Sequence, residues 1–263
     1  MQKYNTGIYT IPEIRIGRMI LPNNEVAVLS GTLYPKDKLI VGFMGSAGKE
    51  RDINGNEFKP TDEQKELAEK IGRIAAERSC ILSNGALWGV PYFAARGAKK
   101  ANGYTIGISP SKDHYEHTGE KNKPIKHFDL LFYVGLGYKP LPAFDMVFRD
   151  VFNTLYPDII ISMDGRWGTL DEDTHAIELG KTFVPVKDSG GTTGELVSII
   201  EKGVIKKETG AKIIIAESAN IEEAIDIAIK EARKRWAIEG RKENLFSEII
   251  SELEEVMARR RET

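Results

Sequence analysis

The chain has 263 residues, of which 41% are hydrophobic, so it is long enough to bury a sizeable core in one or two α/β domains. Its 39 acidic and 37 basic side chains nearly cancel, and this balance argues against nucleic acid or a membrane surface as a partner. The single cysteine, Cys80, excludes an intramolecular disulfide and a multi-cysteine zinc site, and its apolar surroundings assign it to the core. The sequence shows neither a signal peptide nor the roughly 20 apolar residues that a membrane helix needs, so we expect a soluble, cytoplasmic protein.

Residues 1–37 are predicted to form a small N-terminal β extension. The segment Pro22-Asn23-Asn24 has the composition of a turn. Apolar residues recur at every second position on both sides of it: Ile14, Ile16, Val26 and Val28. This alternation is typical of a hairpin whose turn lies at residues 22–24.

Residues 38–263 are predicted to form a single Rossmann-like domain. Apolar runs of strand length alternate there with helical segments, at residues 38–43, 80–83, 104–109, 129–134, 158–163, 183–186 and 212–216. This alternation predicts an α/β fold with a parallel sheet covered by helices on both faces. Thr61 and Gln64 have capping-box spacing and mark the start of one of these helices.

A C-terminal helical extension is predicted from about residue 221. Its last part carries apolar residues four positions apart: Leu245, Ile249, Leu253 and Met257. Such a stripe packs against its own domain or, as the alternative, forms a subunit interface.

Glycine-rich turns follow three of the predicted strands. They are Gly45-Ser46-Ala47-Gly48, the segment 84–89 with Asn84, Gly85 and Gly89, and the segment 164–169 with Gly165, Arg166, Gly168 and Thr169. Backbone N–H groups in such turns, and the helix N-termini that follow, suit a phosphate group. Glycine also serves tight turns for structural reasons, but three such turns at equivalent strand ends favour a ligand site. None has the dinucleotide fingerprint or the P-loop pattern, which argues against a nicotinamide dehydrogenase and an ordinary ATPase.

The third turn resembles the P-G-G-x-G-T-x-x-E motif of the Lonely Guy (LOG) family, whose members also carry the name lysine decarboxylase-like. Residues 164–172 align with this motif and end at Glu172. The family's upstream motif, M-H-x-R-K, aligns with residues 146–150, so that Met146 and Arg149 take its methionine and arginine positions. The same number of positions separates Arg149 from Glu172 as in the family's pattern. The first and second turns are similar to the family's other loops, and the resemblance spans roughly residues 38–220.

This resemblance implies a usually dimeric Rossmann-like enzyme without a cofactor or metal. Its reaction would be hydrolysis of the N-glycosidic bond of a nucleoside 5′-monophosphate to free base and ribose 5-phosphate. A carboxylate such as Glu172 can stabilise an oxocarbenium-like transition state and orient or deprotonate water. Arg149 can hold that carboxylate or the phosphate, and the N–H groups of residues 165–169 can bind the phosphate. The structural alternative is that Glu172 complements a helix dipole and Arg149 is a surface residue.

The chain departs from the family motifs at four positions. Asp164 replaces the proline, Arg166 the second glycine, Val147 the histidine and Asp150 the lysine. Asp150 and Asp164 add negative charge where the family's phosphate is expected, whereas Arg166 can restore positive charge or fill the pocket. A non-catalytic nucleotide-binding or molybdenum-cofactor carrier protein is therefore the alternative function, and the identity of the base stays open.

Other polar segments are given structural or supporting roles. His114 and His117 lie in the stretch 111–126. No further ligand residues complete a metal site around them. We predict instead that this long stretch is a mobile loop over the site, as long loops in compact domains often are. His175 follows Glu172 by one helical turn, but a di-iron site would need a second copy of this pattern. The glycine-rich segment 190–194 is predicted to form a fourth wall of the pocket.

Overall fold

The computed structural model describes residues 6–16, 19–30, 37–48, 59–137, 143–204, 207–239 and 245–262. The strands are β1 (Gly7–Ile16), β2 (Met19–Val28), β3 (Ile40–Gly45), β4 (Ile81–Asn84), β5 (Thr105–Ser109), β6 (Leu130–Tyr133), β7 (Ile159–Met163), β8 (Thr182–Pro185) and β9 (Lys212–Ile213). The α-helices are α1 (Asp62–Glu77), α2 (Val90–Lys100), α3 (Phe144–Leu155), α4 (Trp167–Glu178), α5 (Gly191–Glu201), α6 (Ile221–Glu239) and α7 (Leu245–Glu262).

The described strands form one sheet in the order β1-β2-β6-β5-β4-β3-β7-β8-β9. Neighbouring strands from β6 to β9 run parallel, whereas β1 and β2 pair antiparallel and β2 joins β6 antiparallel. The inner strands are buried along their length because helices cover both faces of the sheet, which explains their continuous apolar runs. The predicted α/β, Rossmann-like fold with an N-terminal hairpin and C-terminal helices is confirmed.

The order of the strands reverses at β3. The chain proceeds from β3 through β4 and β5 to β6 on one side, and then from β7 through β8 to β9 on the other. Helices that follow strands on the two sides of such a reversal diverge, which leaves a crevice at the carboxyl ends of the central strands. In this chain the crevice lies above β3, β4 and β7.

The turn of the N-terminal hairpin does not lie at residues 22–24. Pro22 is inside β2, opposite Glu13 of β1, and the last pair of the hairpin is Ile16 with Met19. The strands are therefore paired along all of the segment that we predicted as a turn, and residues 17–18 are outside the described residues. The pairing of β2 with β6 covers only residues 25–28, so Pro22 has a strand on one side and its missing N–H group is tolerated.

The predicted capping box is present at the start of α1. The Gln64 amide donates to Thr61 Oγ1 over 3.2 Å, and the Thr61 amide donates to Gln64 Oε1 over 2.9 Å. At the other end of the chain, α7 packs on the sheet beside β1 and buries Ile250, Leu253 and Met257. The side chains of Leu245 and Ile249, the remainder of the predicted stripe, are outside the described part.

Cys80 precedes β4 and is buried in the core, as its sequence context indicates. Burial raises the pKa of its thiol to about 11. The reactive thiolate form is therefore scarce at neutral pH, which agrees with a structural role.

Candidate active site at the strand ends

The three glycine-rich turns meet around a cleft of about 50 Å³. The predicted site residues that line this cleft are Gly45, Ser46, Ala47, Gly85, Met146, Arg149, Arg166, Gly168, Thr169 and Glu172. The lining also includes residues that the sequence motifs did not single out as binding or catalytic: Phe43, Met44, Leu87, Pro91, Asp150 and Asn153. The roles that the sequence motifs give to the predicted site residues, in ligand binding or in catalysis, stay predictions.

The first turn holds the other two turns in place. Ser46 Oγ accepts a hydrogen bond from the Gly165 amide over 3.0 Å, and the Ser46 carbonyl accepts from the Val90 amide over 3.1 Å. Ala47 forms an antiparallel bridge with Gly89, where φ of 101° and the closeness of the first turn's backbone require glycine. Gly89 and Gly165 therefore contribute contacts between turns.

Asn84 has a similar internal role at the end of β4. Its Oδ1 accepts from the Ala86 amide and its Nδ2 donates to the Pro91 carbonyl, both over 2.9 Å. These bonds fix the second turn against the start of α2. Asn84, Gly89 and Gly165 lie next to the cleft without lining it.

Arg149 lines the cleft and is almost fully buried. Its Nη2 atom is 2.8 Å from Asp150 Oδ1, and its Nη1 atom is 3.3 Å from Glu172 Oε1. Asn153, one turn further along α3, donates from Nδ2 to the same Glu172 oxygen over 2.6 Å. A Cβ atom on Gly85 would overlap the Arg149 guanidinium, so the glycine leaves the room that this side chain occupies.

Two carboxyl groups share this buried space. Burial and the nearby Asp150 raise the pKa of Glu172 well above its usual range, against the opposing effect of Arg149. Burial also raises the pKa of Asp150, although Arg149 and a hydrogen bond with Glu172 favour its ionised form. Both shifts favour retention of a proton on these carboxyl groups, against the opposing charge of the guanidinium.

Asp150 and Asn153 were not identified as functional from the sequence. At position 150 the family motif indicates only the loss of a positive charge, and Asn153 lies outside both motifs. The sequence does contain a signal for these residues. Polar side chains recur at positions i, i+1, i+4 and i+5 of the helix, which places them on one face: Arg149, Asp150, Asn153 and Thr154. All four are buried in the structure.

The third turn is supported from behind by the segment 190–194. Asp164 has φ of 54°, and its carbonyl accepts from the Thr193 amide over 3.2 Å. The Thr192 amide donates to the Gly165 carbonyl over 3.0 Å, and the Asp164 amide donates to Ser189 Oγ over 2.7 Å. The segment therefore positions the third turn, and it is not part of the cleft lining that we predicted as a fourth wall.

The stretch 111–126 contains a short π-helix (Glu116–Glu120) and is anchored to the sheet by its two histidines, and its mobility over the site stays a prediction. His117 is buried, its Nδ1 lies 2.7 Å from Ser109 Oγ and its Nε2 lies 3.0 Å from the Pro124 carbonyl. Burial lowers the pKa of His117 to about 4, so its ring is neutral at physiological pH. His114 Nδ1 is 2.7 Å from the Tyr133 hydroxyl. Both imidazoles thus fix the segment to β5 and β6.

Solved structures with the same fold include proteins named for the molybdenum cofactor. The molybdenum cofactor binding protein of the phototrophic bacterium Rippkaea orientalis is 25% identical, with a TM-score of 0.53 over 74% of this chain and 99% of that one. The molybdenum cofactor carrier protein of Chlamydomonas reinhardtii is 22% identical, with a TM-score of 0.52 over 73% and 99% of the two chains.

A DNA-binding protein shares the fold as well. DNA processing protein A of Helicobacter pylori, whose structure is described for its single-stranded DNA binding mode, is 17% identical with a TM-score of 0.55 over 86% of this chain and 99% of that one. The expectation of no nucleic-acid partner, which rested on the near-zero net charge, is wrong as an inference. Binding to nucleic acid depends on local positive surfaces, which an overall balance of charge does not exclude.

No helix in the described ranges combines the length and the apolar character needed to cross a membrane. Among sequence relatives, an uncharacterized protein of Archaeoglobus fulgidus is 28% identical over 126 residues, which are 48% of this chain and 72% of that protein. The SLOG cluster4 family matches residues 38–225, a segment that contains the three turns, Arg149 and Glu172. The chain therefore belongs to the SLOG cluster4 family.

Proposed function

We propose that the cleft binds a nucleotide-like ligand and hydrolyses its N-glycosidic bond. The observation that carries this proposal is the buried carboxyl pair of Asp150 and Glu172, held by Arg149 where three glycine-rich turns meet. The resemblance of residues 146–150 and 164–172 to the LOG motifs supports the same reaction. The crevice at a reversal of strand order is also the usual ligand site of open α/β sheets.

Two carboxyl groups of this kind can supply both proton transfers of the hydrolysis. Water adds to the anomeric carbon and gives its proton to the ionised carboxylate. The electrons of the C–N bond leave with the base, which takes a proton from the protonated carboxyl group. Before it takes the proton from water, the ionised carboxylate also stabilises the positive charge that develops on the sugar. Arg149 positions both groups and keeps one of them ionised.

A non-catalytic carrier of a nucleotide-like cofactor is the second candidate. The cleft of about 50 Å³ is much smaller than the roughly 300–1,000 Å³ of typical ligand pockets. A cleft of this size does not hold a nucleotide without rearrangement of its walls, which suits tight storage as well as turnover. Two molybdenum-cofactor proteins of the same fold favour this alternative.

Turnover of a panel of nucleoside 5′-monophosphates, measured as released base, tests the proposal. Glu172→Gln should lower kcat by roughly two to four orders of magnitude, as expected for loss of a proton-transferring group. Arg149→Ala should have a similar effect, and the double variant should lose little more than either single variant because the residues act as one unit. Glu178→Gln, an exposed change on the same helix, is the matched control.

The results separate the two candidates. Hydrolysis that survives Glu172→Gln at the wild-type rate contradicts the catalytic role of Glu172. If the wild type hydrolyses no nucleotide but binds one tightly, the carrier function is supported instead. In that case Glu172→Gln should leave the affinity unchanged or raise it, because it removes a potential negative charge beside the ligand.

A further inference from the structure

Lys123 lies at the carboxyl ends of β5 and β6, on the β4 side of the cleft. Its Nζ atom is 3.5 Å from Ser111 Oγ. Ser111 is fully buried two residues beyond β5, and its carbonyl accepts from the amide of Gly135, which lies two residues beyond β6, over 3.1 Å. The ammonium group is therefore placed over the same edge of the sheet as the glycine-rich turns.

The backbone on both sides of Lys123 is fixed by specific contacts. The Lys123 amide donates to the His117 carbonyl over 2.8 Å. The carbonyl of Asn122 accepts from Trp88 Nε1 over 2.7 Å, and Trp88 belongs to the second glycine-rich turn. The position of the lysine is thus coupled directly to one wall of the cleft.

Lys123 has no carboxylate within ion-pair distance in the part of the chain that the structure describes. The two acidic groups that favour the charged form of Lys123 are bound to other partners. Glu116 pairs with Lys121 over 2.8 Å, and Asp145 accepts from the amides of Leu136 and Gly137. Burial, followed by repulsion from Lys121 and Arg149, lowers the pKa of Lys123 to about 7.

Acidic side chains lie near the start of α4, in contrast to the surroundings of Lys123. A Cβ atom on Gly168 would lie 3.7 Å from Asp150 Oδ2, and buried Asp164 precedes the same helix. The guanidinium of Arg149 is already balanced by Asp150 and Glu172. Arg166 is a further cation at this end of the cleft, so positive and negative side chains are mixed there, whereas Lys123 is a partly buried cation that lacks a counterion.

We propose that Lys123 and Ser111 form an anion-binding subsite beside the cleft and bind the phosphate of a nucleotide-like ligand. This inference rests on the proposed ligand class but not on hydrolysis. The phosphate then lies above β5, and the opposite end of the ligand points toward Glu172. An anion at Lys123 supplies the missing counterion and stabilises the charged lysine.

Calorimetric titration at pH 6 and pH 8 tests this subsite. The probes are the four common ribonucleoside 5′-monophosphates, their free nucleosides and inorganic phosphate. Wild-type protein should bind a monophosphate roughly ten- to a hundredfold more tightly than the nucleoside, as expected for a charge-assisted hydrogen bond. The difference should be larger at pH 6, where Lys123 is charged.

Lys123→Met should remove both this difference and its pH dependence, while Lys126→Met, at an exposed lysine of the same segment, should keep them. A preference for monophosphates that persists in Lys123→Met overturns the proposal. Phosphate binding that depends on Lys123, without binding of any nucleotide, supports the subsite and contradicts the proposed function. Absence of any binding by the wild type contradicts both.

Labelling of the wild-type protein with acetic anhydride tests the charge of Lys123 without a variant. Mass spectrometry across a pH series should give half-maximal reactivity of Lys123 near pH 7, and saturating inorganic phosphate should shift this point upward. Reactivity that titrates like that of the exposed lysines, or that phosphate leaves unchanged, counts against the subsite.

Discussion

Asp173 lies directly behind the third glycine-rich turn and has no exposure to solvent. Its Oδ2 atom accepts from Ser162 Oγ over 2.9 Å, and Thr193 Oγ1 lies 3.4 Å from it. Burial raises the pKa of Asp173 to about 7, because these two hydroxyl groups only partly replace the lost hydration of the carboxylate. Thr193 Oγ1 is also 2.5 Å from the Asp164 carbonyl, so the carboxyl group supports the turn itself.

The raised pKa of Asp173 predicts a pH-dependent stability. The stabilisation is fully present below the unfolded pKa of 3.8 and is lost as the pH rises through the folded pKa of about 7. Between these values the free energy of unfolding should fall by roughly 1.4 kcal/mol per pH unit from this group alone.

Urea denaturation at pH 5 and pH 7.5 measures this effect. Asp173→Asn should remove much of the decrease, whereas Glu178→Gln on the exposed face of α4 should retain it. Equal decreases in wild type and Asp173→Asn would show that Asp173 ionises as easily in the folded as in the unfolded protein.

At the scale of secondary structure elements, α1 and α2 pack unusually closely. A Cβ atom on Gly72 of α1 would overlap the Ala94 carbonyl, and one on Gly97 of α2 would overlap the Glu69 carbonyl. Helix backbones can approach this closely only where side chains are absent. This contact fixes α2, and therefore the second glycine-rich turn that precedes it.

Gly72→Ala should destabilise the protein by about 1–3 kcal/mol, because the added methyl group meets backbone atoms that cannot move independently. The sign is the opposite of the usual gain when alanine replaces a helical glycine. Thermal or urea unfolding measures the change. Gly168→Ala in α4 is the matched control. The nearest atom to the added methyl group would be 3.7 Å away, so the stability of this variant should be unchanged or higher.

At the scale of the whole molecule, the N-terminal hairpin and α7 extend the core of the central sheet. Ile11 of β1 and Leu253 of α7 are fully buried in the same apolar cluster as Ile106 and Ile108 of β5. We propose that residues 38–263 form one domain that unfolds together with the N-terminal extension.

Leu253→Ala should lower the free energy of unfolding by roughly 2–5 kcal/mol, through lost burial and the cavity that remains. Far-UV circular dichroism and tryptophan fluorescence should report a single coincident transition in the wild type and the variant. Ile238→Ala, at a position that is 84% exposed, should have little effect. An early transition confined to the hairpin and α7 would show that these parts are separate units.

Several features of the protein are determined by its sequence alone. Buried parallel strands need apolar residues on both faces, so their runs are visible without knowledge of their neighbours. The Thr61–Gln64 capping box depends on groups three residues apart, and it is formed as predicted. The spacing of Arg149 and Glu172 indicated a shared site, and the structure places their charged groups 3.3 Å apart.

Other features were decided only by the tertiary structure. Pro22 is tolerated inside β2 because the pairing of β2 with β6 covers only residues 25–28, and this pairing joins segments that are distant in sequence. The sequence motif shows only that a positive charge is missing at Asp150. The role of Asp150 as the partner of Glu172 depends on the packing of α3 against α4. The charge state of Lys123 likewise depends on burial and on groups far away in sequence. Side-chain chemistry is local to the sequence, whereas the electrostatic environment that tunes it is created by packing.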